Sequence, residues 1–428
     1  MSNFAFEPAQ EEQGVETGRA PIMLENVRPI PRISIQAFCV NESVAIPIER
    51  AGGDRRMAKT HLKVMMGGIA SAIEFYQTAS TPNLIIVESA SEPNVLLEEL
   101  QQLSEVCDPG SKVMVIGHSN EVWLYRELLR RGVSEYIVAP VSLADILAIV
   151  SSIFLNPDAE PLGRSIAFIG AKGGVGASTV AHNVAWSISE LFRHDVVLAD
   201  MDLPFGTANI NFDQDPTLGI ADAVFSPERI DEVYLDRLLV QYGDHLSILA
   251  APSSLERTFD FGEEAFAELI DVAQRNSPLV VLDVAHGWNG WTRTTLMRAD
   301  EVVIVAAPDL ANLRNAKNLL DTLAQLRPND VKPHLILNQM GIPKRPEIAL
   351  ADFTEPLGID PIATIDFDPQ LFGNAANNGR MVAETNPESP AAETISHIAH
   401  IVTGRADVQP RKKSGISGLL GKFARKTK

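Results

Sequence analysis

The chain has 428 residues, 45 % apolar and 21 % charged; this suits a globular protein with material for two domains and excludes a disordered or fibrous chain. Its two cysteines, Cys39 and Cys107, are too few and too scattered for a disulfide framework or a structural zinc site. The formal charge is −19, yet residues 411–428 hold seven Lys or Arg and no acid, so the remainder carries −26, which argues against nucleic acid as a partner.

Residues 1–32 include Glu7, Glu11, Glu12, Glu16 and Glu25, several prolines and no sustained apolar period, and read as a disordered leader. They lack the basic and apolar regions of a secretory signal, and no apolar run reaches the length of a bilayer span, so a cytoplasmic location is expected. From Ile33 the pattern alternates: a strand over Ile33–Val40, a helix over His61–Thr78, strands at Asn83–Glu88 and Lys112–Gly117, a helix over Glu121–Arg131, a strand at Glu135–Ala139 and a helix over Leu143–Phe154. Such alternation predicts a small doubly wound parallel sheet over residues 33–156. The proline-punctuated polar stretch that follows, residues 157–164, reads as a linker.

A second alternating series then begins, with strands expected at Ser165–Gly170, Val196–Met201, Leu246–Ala250, Leu279–Val284, Glu301–Ala306, His334–Asn338 and Ile362–Ile365. It predicts a larger α/β domain of the same doubly wound class over residues 165–405. The strongest motif is Gly170-Ala171-Lys172-Gly173-Gly174-Val175-Gly176-Ala177-Ser178-Thr179, between a strand and a helical pattern over Thr179–Phe192. Glycines there let peptide N–H groups face a phosphate chain, and the helix start adds a positive dipole end. Two further strands end in acids, Asp200 with Asp202 and Asp283, where open α/β sheets bind ligands. Strand alternation would put Asp200 and Asp202 on one side.

The loop resembles the deviant Walker A loop of the ParA/MinD ATPase family. Lys172 matches the family's signature lysine, whereas Ala177 stands where the second lysine is usual and Ala171 where the first glycine is. The resemblance implies ATP and Mg²⁺ as cofactors, with Gly173, Gly174, Val175, Gly176, Ala177, Ser178 and Thr179 along the phosphates. It implies that Lys172 reaches a partner's phosphates across a homodimer, that Ser178, Asp200 and Asp283 serve the metal, and that Asp202 orients the attacking water. Asn338, ending a strand, matches the asparagine that hydrogen-bonds adenine. Losing the second lysine removes charge on which phosphoryl transfer depends, so hydrolysis is expected to be weak or absent. Plain capping or turn roles for Ser178, Thr179, Asp200, Asp202 and Asn338 stay open. His286, in the loop after Asp283, reads as a local hydrogen-bonding residue.

Residues 33–156 resemble a two-component receiver in element order. The places of its phospho-acceptor, acidic pair and lysine hold Glu88, Asn41-Glu42 and Ala139 before Pro140, so a pseudo-receiver for docking or dimerisation is expected. A degenerate receiver ahead of a ParA/MinD-like domain resembles the TadZ/CpaE family of Flp pilus assembly, which implies a localisation factor recruiting pilus secretion components. Residues 406–428 form a basic tail in which Ile416, Leu419, Leu420 and Phe423 make one helical stripe; it can lie on the anionic inner membrane or dock on protein. Two other functions stay open: a cycling ATPase for partition or spatial positioning, and a phospho-signalling response regulator.

Overall fold

Leu84-Ile85-Ile86-Val87 and Leu279-Val280-Val281-Leu282 are apolar runs with no polar alternation, the signature of strands covered on both faces. The structure, a computed structural model, describes residue 24 and residues 27–154, 162–252 and 255–405, and the chain divides into two units, residues 1–159 and 160–428. The basic tail and most of the acidic leader lie outside the described residues.

In the first unit the strands are β1 (Ser34–Cys39), β2 (His61–Met66), β3 (Leu84–Glu88), β4 (Lys112–Gly117) and β5 (Glu135–Val138). All pair in parallel in the order β2-β1-β3-β4-β5, the flavodoxin-like arrangement. Helices cover both faces, giving one core around Ile35, Ala37, Ile48, Ile86 and Leu147 and another around Phe38, Val87, Leu100 and Leu128.

Two expectations change here. The helix expected over His61–Thr78 is strand β2 followed by a helix at Gly68–Tyr76, with Gly67 and Gly68 at φ +119° and +60° making the turn between them. Leu62, Met65, Ile69, Ala72 and Tyr76 recur at helical spacing by coincidence, and pairing with β1 overrides that stripe. The end of the expected leader is also fixed in place: Ile30 is buried, its N–H donates to the Arg56 carbonyl at 2.8 Å, and Ser151 Oγ donates to the Arg28 carbonyl at 3.1 Å.

In the second unit the strands are β6 (Arg164–Gly170), β7 (Val196–Asp200), β8 (Val240–Tyr242), β9 (Leu246–Leu249), β10 (Leu279–Val284), β11 (Glu301–Ala306), β12 (His334–Met340) and β13 (Ala363–Asp366). Their order is β13-β12-β11-β6-β10-β7-β9-β8. Every pairing is parallel except the antiparallel one between β8 and β9. The seven expected strands are present, and β8, three partly exposed residues at the edge, is additional. Strand β6 is central: the chain runs from it to β7 on one side and later crosses from β10 over to β11 on the other, which makes the end of β6 the switch point at which such sheets take ligands. The last residues of the expected linker belong to this unit, since Gly163 N–H donates to the Gln274 carbonyl at 2.6 Å.

Candidate nucleotide site

The loop after β6 enters the helix Ala177–Phe192 through Gly176, which sits in the left-handed region at φ +84°. A Cβ at Gly176 would lie 2.6 Å from Asn338 Nδ2, so conformation and space both demand glycine. Gly176 offers no side-chain cap, and the first N–H groups of a helix have no partner within it, which leaves them for an anion.

The loop carbonyls, in contrast, are held. Asn338 Nδ2 donates to the Val175 carbonyl at 2.8 Å and Gln339 Nε2 to the Gly174 carbonyl at 2.9 Å. Asn315 Nδ2 donates to the Ala171 carbonyl at 2.8 Å, and His286 Nδ1 lies 2.9 Å from the Gly170 carbonyl. Asn338 is thus a brace of the loop's shape, and His286 is the local hydrogen-bonding residue expected. Gln339 and Asn315 were not legible as loop contacts; for Gln339 the nearest cue was the polar pair ending an apolar strand, and Asn315 lies on the helix Leu310–Leu326. Gly173 and Gly174 form the loop's turn, Ala177 is the first residue of the helix, and Thr179 stands in its first turn. Beside the loop a cavity of about 350 Å³ is lined in part by Ala171, His286, Trp288, Asn315 and Leu319.

Lys172 projects from the loop with its side chain half exposed, its Nζ 3.9 Å from Asp309 Oδ2. Burial works against the Asp309 carboxylate, but hydrogen bonds from Asn312 and the charge of Lys172 hold its pKa below the usual range. No side-chain charge stands at Ala177.

The three expected metal-side groups come together. Ser178 Oγ donates to Asp283 Oδ1 at 3.1 Å, and the register of β10 and β7 sets Asp283 beside Asp200. Asp200 is fully buried and accepts from the N–H of Ala208 at 2.9 Å and of Asp202 at 3.2 Å. Burial raises the Asp200 pKa, and the neighbouring Asp283 charge adds to the rise, while His182 and the two N–H groups oppose it. Asp202 differs from the alternation expectation: β7 ends at Asp200, and Asp202 lies in the turn beyond, where its Oδ1 accepts from Phe205 N–H at 3.2 Å. Burial raises the pKa of Asp202 as well.

His182 completes the cluster and was missed in sequence. Ligand atoms of His182, Asp200 and Asp283 lie within 4.8 Å of one another, all three residues buried. The readable signal was a histidine one turn after Ser178 in the helix that follows the loop. Two crowded carboxylates and a hydroxyl whose proton is given to Asp283 leave oxygen lone pairs and surplus negative charge at one point. This donor set fits a hard divalent cation such as Mg²⁺.

A phosphate-sized cradle on the central strand of a parallel sheet, with carboxylates on the adjoining strands, is the working end of a P-loop NTPase fold. Residues 163–337 match a family described as an AAA domain. A putative septum site-determining protein MinD of Mesostigma viride is 25 % identical over 62 % of this chain and 94 % of its own length. The crystal structure of a ParA family ATPase from Chlorobium tepidum is 25 % identical over 55 % of this chain and 98 % of its own, with TM-score 0.51. A pilus assembly protein CpaE from Caulobacter crescentus, solved as a crystal structure, is 43 % identical over 30 % of this chain and 98 % of its own (TM-score 0.30). On that sequence identity across nearly all of the CpaE structure, the chain belongs to the CpaE-like ParA/MinD family.

Proposed function

We propose that this protein binds ATP with Mg²⁺ at residues 170–179, closes as a homodimer around the nucleotide, and serves pilus assembly as a positioning factor that recruits secretion components. The observation that carries the reading is the pairing of a formed phosphate cradle with Ala177 at the helix start. Backbone N–H groups and the helix dipole suffice to bind phosphates, whereas phosphoryl transfer needs positioned charge that Ala177 does not supply. Mg²⁺ bound near Ser178, Asp200 and Asp283 would neutralise phosphate oxygens. Within the chain, Ser178 and Asp283 hold each other, Asn338 and Gln339 keep the loop carbonyls turned aside, and Lys172 stays free to exchange Asp309 for a stronger anion. Nucleotide is then a switch for assembly more than a fuel. The pilus role rests on the CpaE relative's name, and the dimer on the family resemblance.

Asp202, beside the carboxylates and half buried, supports a second reading as a slow cycling ATPase in which it orients water. Phospho-signalling is disfavoured by the surroundings of Glu88, whose two oxygens already accept hydrogen bonds. Among the described residues no helix is long and apolar enough to cross a membrane, and contact with anionic lipid is assigned to residues 411–428.

The test is ATP binding by calorimetry and turnover with Mg²⁺, wild type beside Ala177→Lys. Binding without turnover in the wild type, with turnover gained in the variant, is expected. Robust wild-type turnover would move the cycling ATPase ahead, and no binding at millimolar Mg-ATP would end both readings. Deleting residues 411–428 is expected to release the protein from anionic vesicles.

A further inference from the structure

We infer that His182 is a positioning residue for Asp283 and that Asn211 sets the direction in which His182 holds it, so that the segment after Asp202 controls the grip on the metal-side carboxylate. His182 is wholly buried, with Nε2 3.1 Å from Asp283 Oδ2 and Nδ1 3.0 Å from Asn211 Nδ2, and its ring packs 5.7 Å from that of Phe212. An amide nitrogen can only donate, so Nδ1 accepts and Nε2 is left to donate to Asp283. Asn211 Nδ2 is itself steadied by Thr207 Oγ1 at 3.3 Å.

Asp283 is therefore gripped at both oxygens by one rigid element. Ser178 takes Oδ1 and His182 takes Oδ2, and these two residues stand one turn apart on the helix Ala177–Phe192. That arrangement fixes the rotation of the carboxylate, and a partner behind a metal-side carboxylate tunes the affinity of the site. The short helix Ala208–Asn211 closes the circuit. Its first residue donates its N–H to Asp200 Oδ2 at 2.9 Å and its last holds His182, so four residues bridge the supports of both buried acids. Movement of residues 202–211 would loosen both at once. A histidine retained only for packing has no need of a donor on one nitrogen and a buried carboxylate on the other.

The inference rests on the Mg-ATP reading, and the experiment separates the two. In the full-length protein, ATP dissociation constants are measured with Mg²⁺ and with EDTA for the wild type, His182→Leu, His182→Gln and Asn211→Ala. Wild-type binding in EDTA tests the nucleotide reading alone. The ratio of the two constants, the Mg²⁺ gain, tests His182. Expected is a loss of roughly 10–100-fold in that gain for His182→Leu, with binding in EDTA retained. A smaller loss is expected for Asn211→Ala. His182→Gln, whose amide can donate to Asp283 and accept from Asn211, should restore most of the gain, as a mere packing role would not. A folded His182→Leu protein with the wild-type Mg²⁺ gain would overturn the inference, as would failure of His182→Gln to rescue. If His182→Leu does not fold, Asn211→Ala and His182→Gln carry the comparison. Histidine ¹⁵N NMR on the ligand-free protein gives an answer that needs no nucleotide: a proton on Nε2 of His182, lost or redistributed in Asn211→Ala, is expected, and a proton on Nδ1 in the wild type refutes the arrangement.

Discussion

Both units place carboxylates at the carboxyl ends of central parallel strands, and the two sets live in opposite conditions. Glu88, ending β3, accepts from the N–H groups of Val40 at 2.6 Å and Asn41 at 2.9 Å, from Asn41 Nδ2 at 2.7 Å, and faces His118 Nε2 at 3.1 Å. Burial alone would raise its pKa, but the main-chain and side-chain bonds from Asn41, then those from Val40 and His118, bring it below the ordinary value. Asp200, ending β7, is as deeply buried, yet its neighbour is another carboxylate and its pKa goes up. The same fold position therefore holds a lone carboxylate ringed by donors in one unit and one of two crowded carboxylates in the other. Position on the sheet does not make a ligand site; a second negative charge placed beside the first does.

The sharpest way to break that contrast is Glu88→Leu, which takes the buried acceptor away from the Val40 and Asn41 N–H groups and from Asn41 Nδ2. We expect a loss on the order of 3 kcal/mol in the stability of the first unit, from more than one orphaned donor to a charged partner. Hydrogen exchange at β1 and β3 should register it while ATP affinity in the second unit stays at the wild-type value; a parallel fall in ATP affinity would show the carboxylates to be less independent than described. The same residue predicts a pH slope. Its folded pKa lies below the unfolded value of 4.5, so its contribution is present above about pH 4.5 and is lost as pH falls through the folded pKa. Glu88→Gln should flatten the acid limb of the first unit's unfolding curve, and an unchanged limb would remove Glu88 from the account.

In the second unit Gly176→Ala puts a Cβ in a left-handed position and against Asn338. A cost of about 1–2 kcal/mol in stability is expected, together with weaker ATP binding, whereas a variant that binds as the wild type does would show that the loop is not shaped by this contact. Asn338→Ala frees the Val175 carbonyl at a cost of about 1 kcal/mol, read as a several-fold weaker ATP affinity in calorimetry. An equal effect with adenosine, which carries no phosphate, would point instead to the adenine contact that the family resemblance implies.

Much of the fold was open to reading because parallel strands covered on both faces leave unbroken apolar runs, as at Leu279–Leu282, and because Gly170 to Thr179 marks strand, turn and helix at once. What stayed hidden has physical causes. Strand β2 is a half-exposed edge strand whose apolar residues fell by chance on a helical stripe, and β8 is too short to have a period. In the site, Lys172, Ser178, Asp200 and Asp283 announce themselves by local pattern. His182, Asn211 and Gln339 act through partners 101, 29 and 165 residues away in the chain, and no local window contains such a pair. Asp202 misled because alternation was carried two residues past the end of β7.

The borders of the larger sheet also bear on how this protein can be built into something bigger. On one side the sheet finishes in Val240–Tyr242 and on the other in Ala363–Asp366, whereas the strands at its centre run through Arg164–Gly170 and Leu279–Val284. Such stubby borders offer a foreign strand little to zip onto, which is how natural sheets avoid runaway growth. Edge-to-edge growth of this sheet into longer ribbons is thereby disfavoured, and the surfaces left on offer are those of its helices and loops.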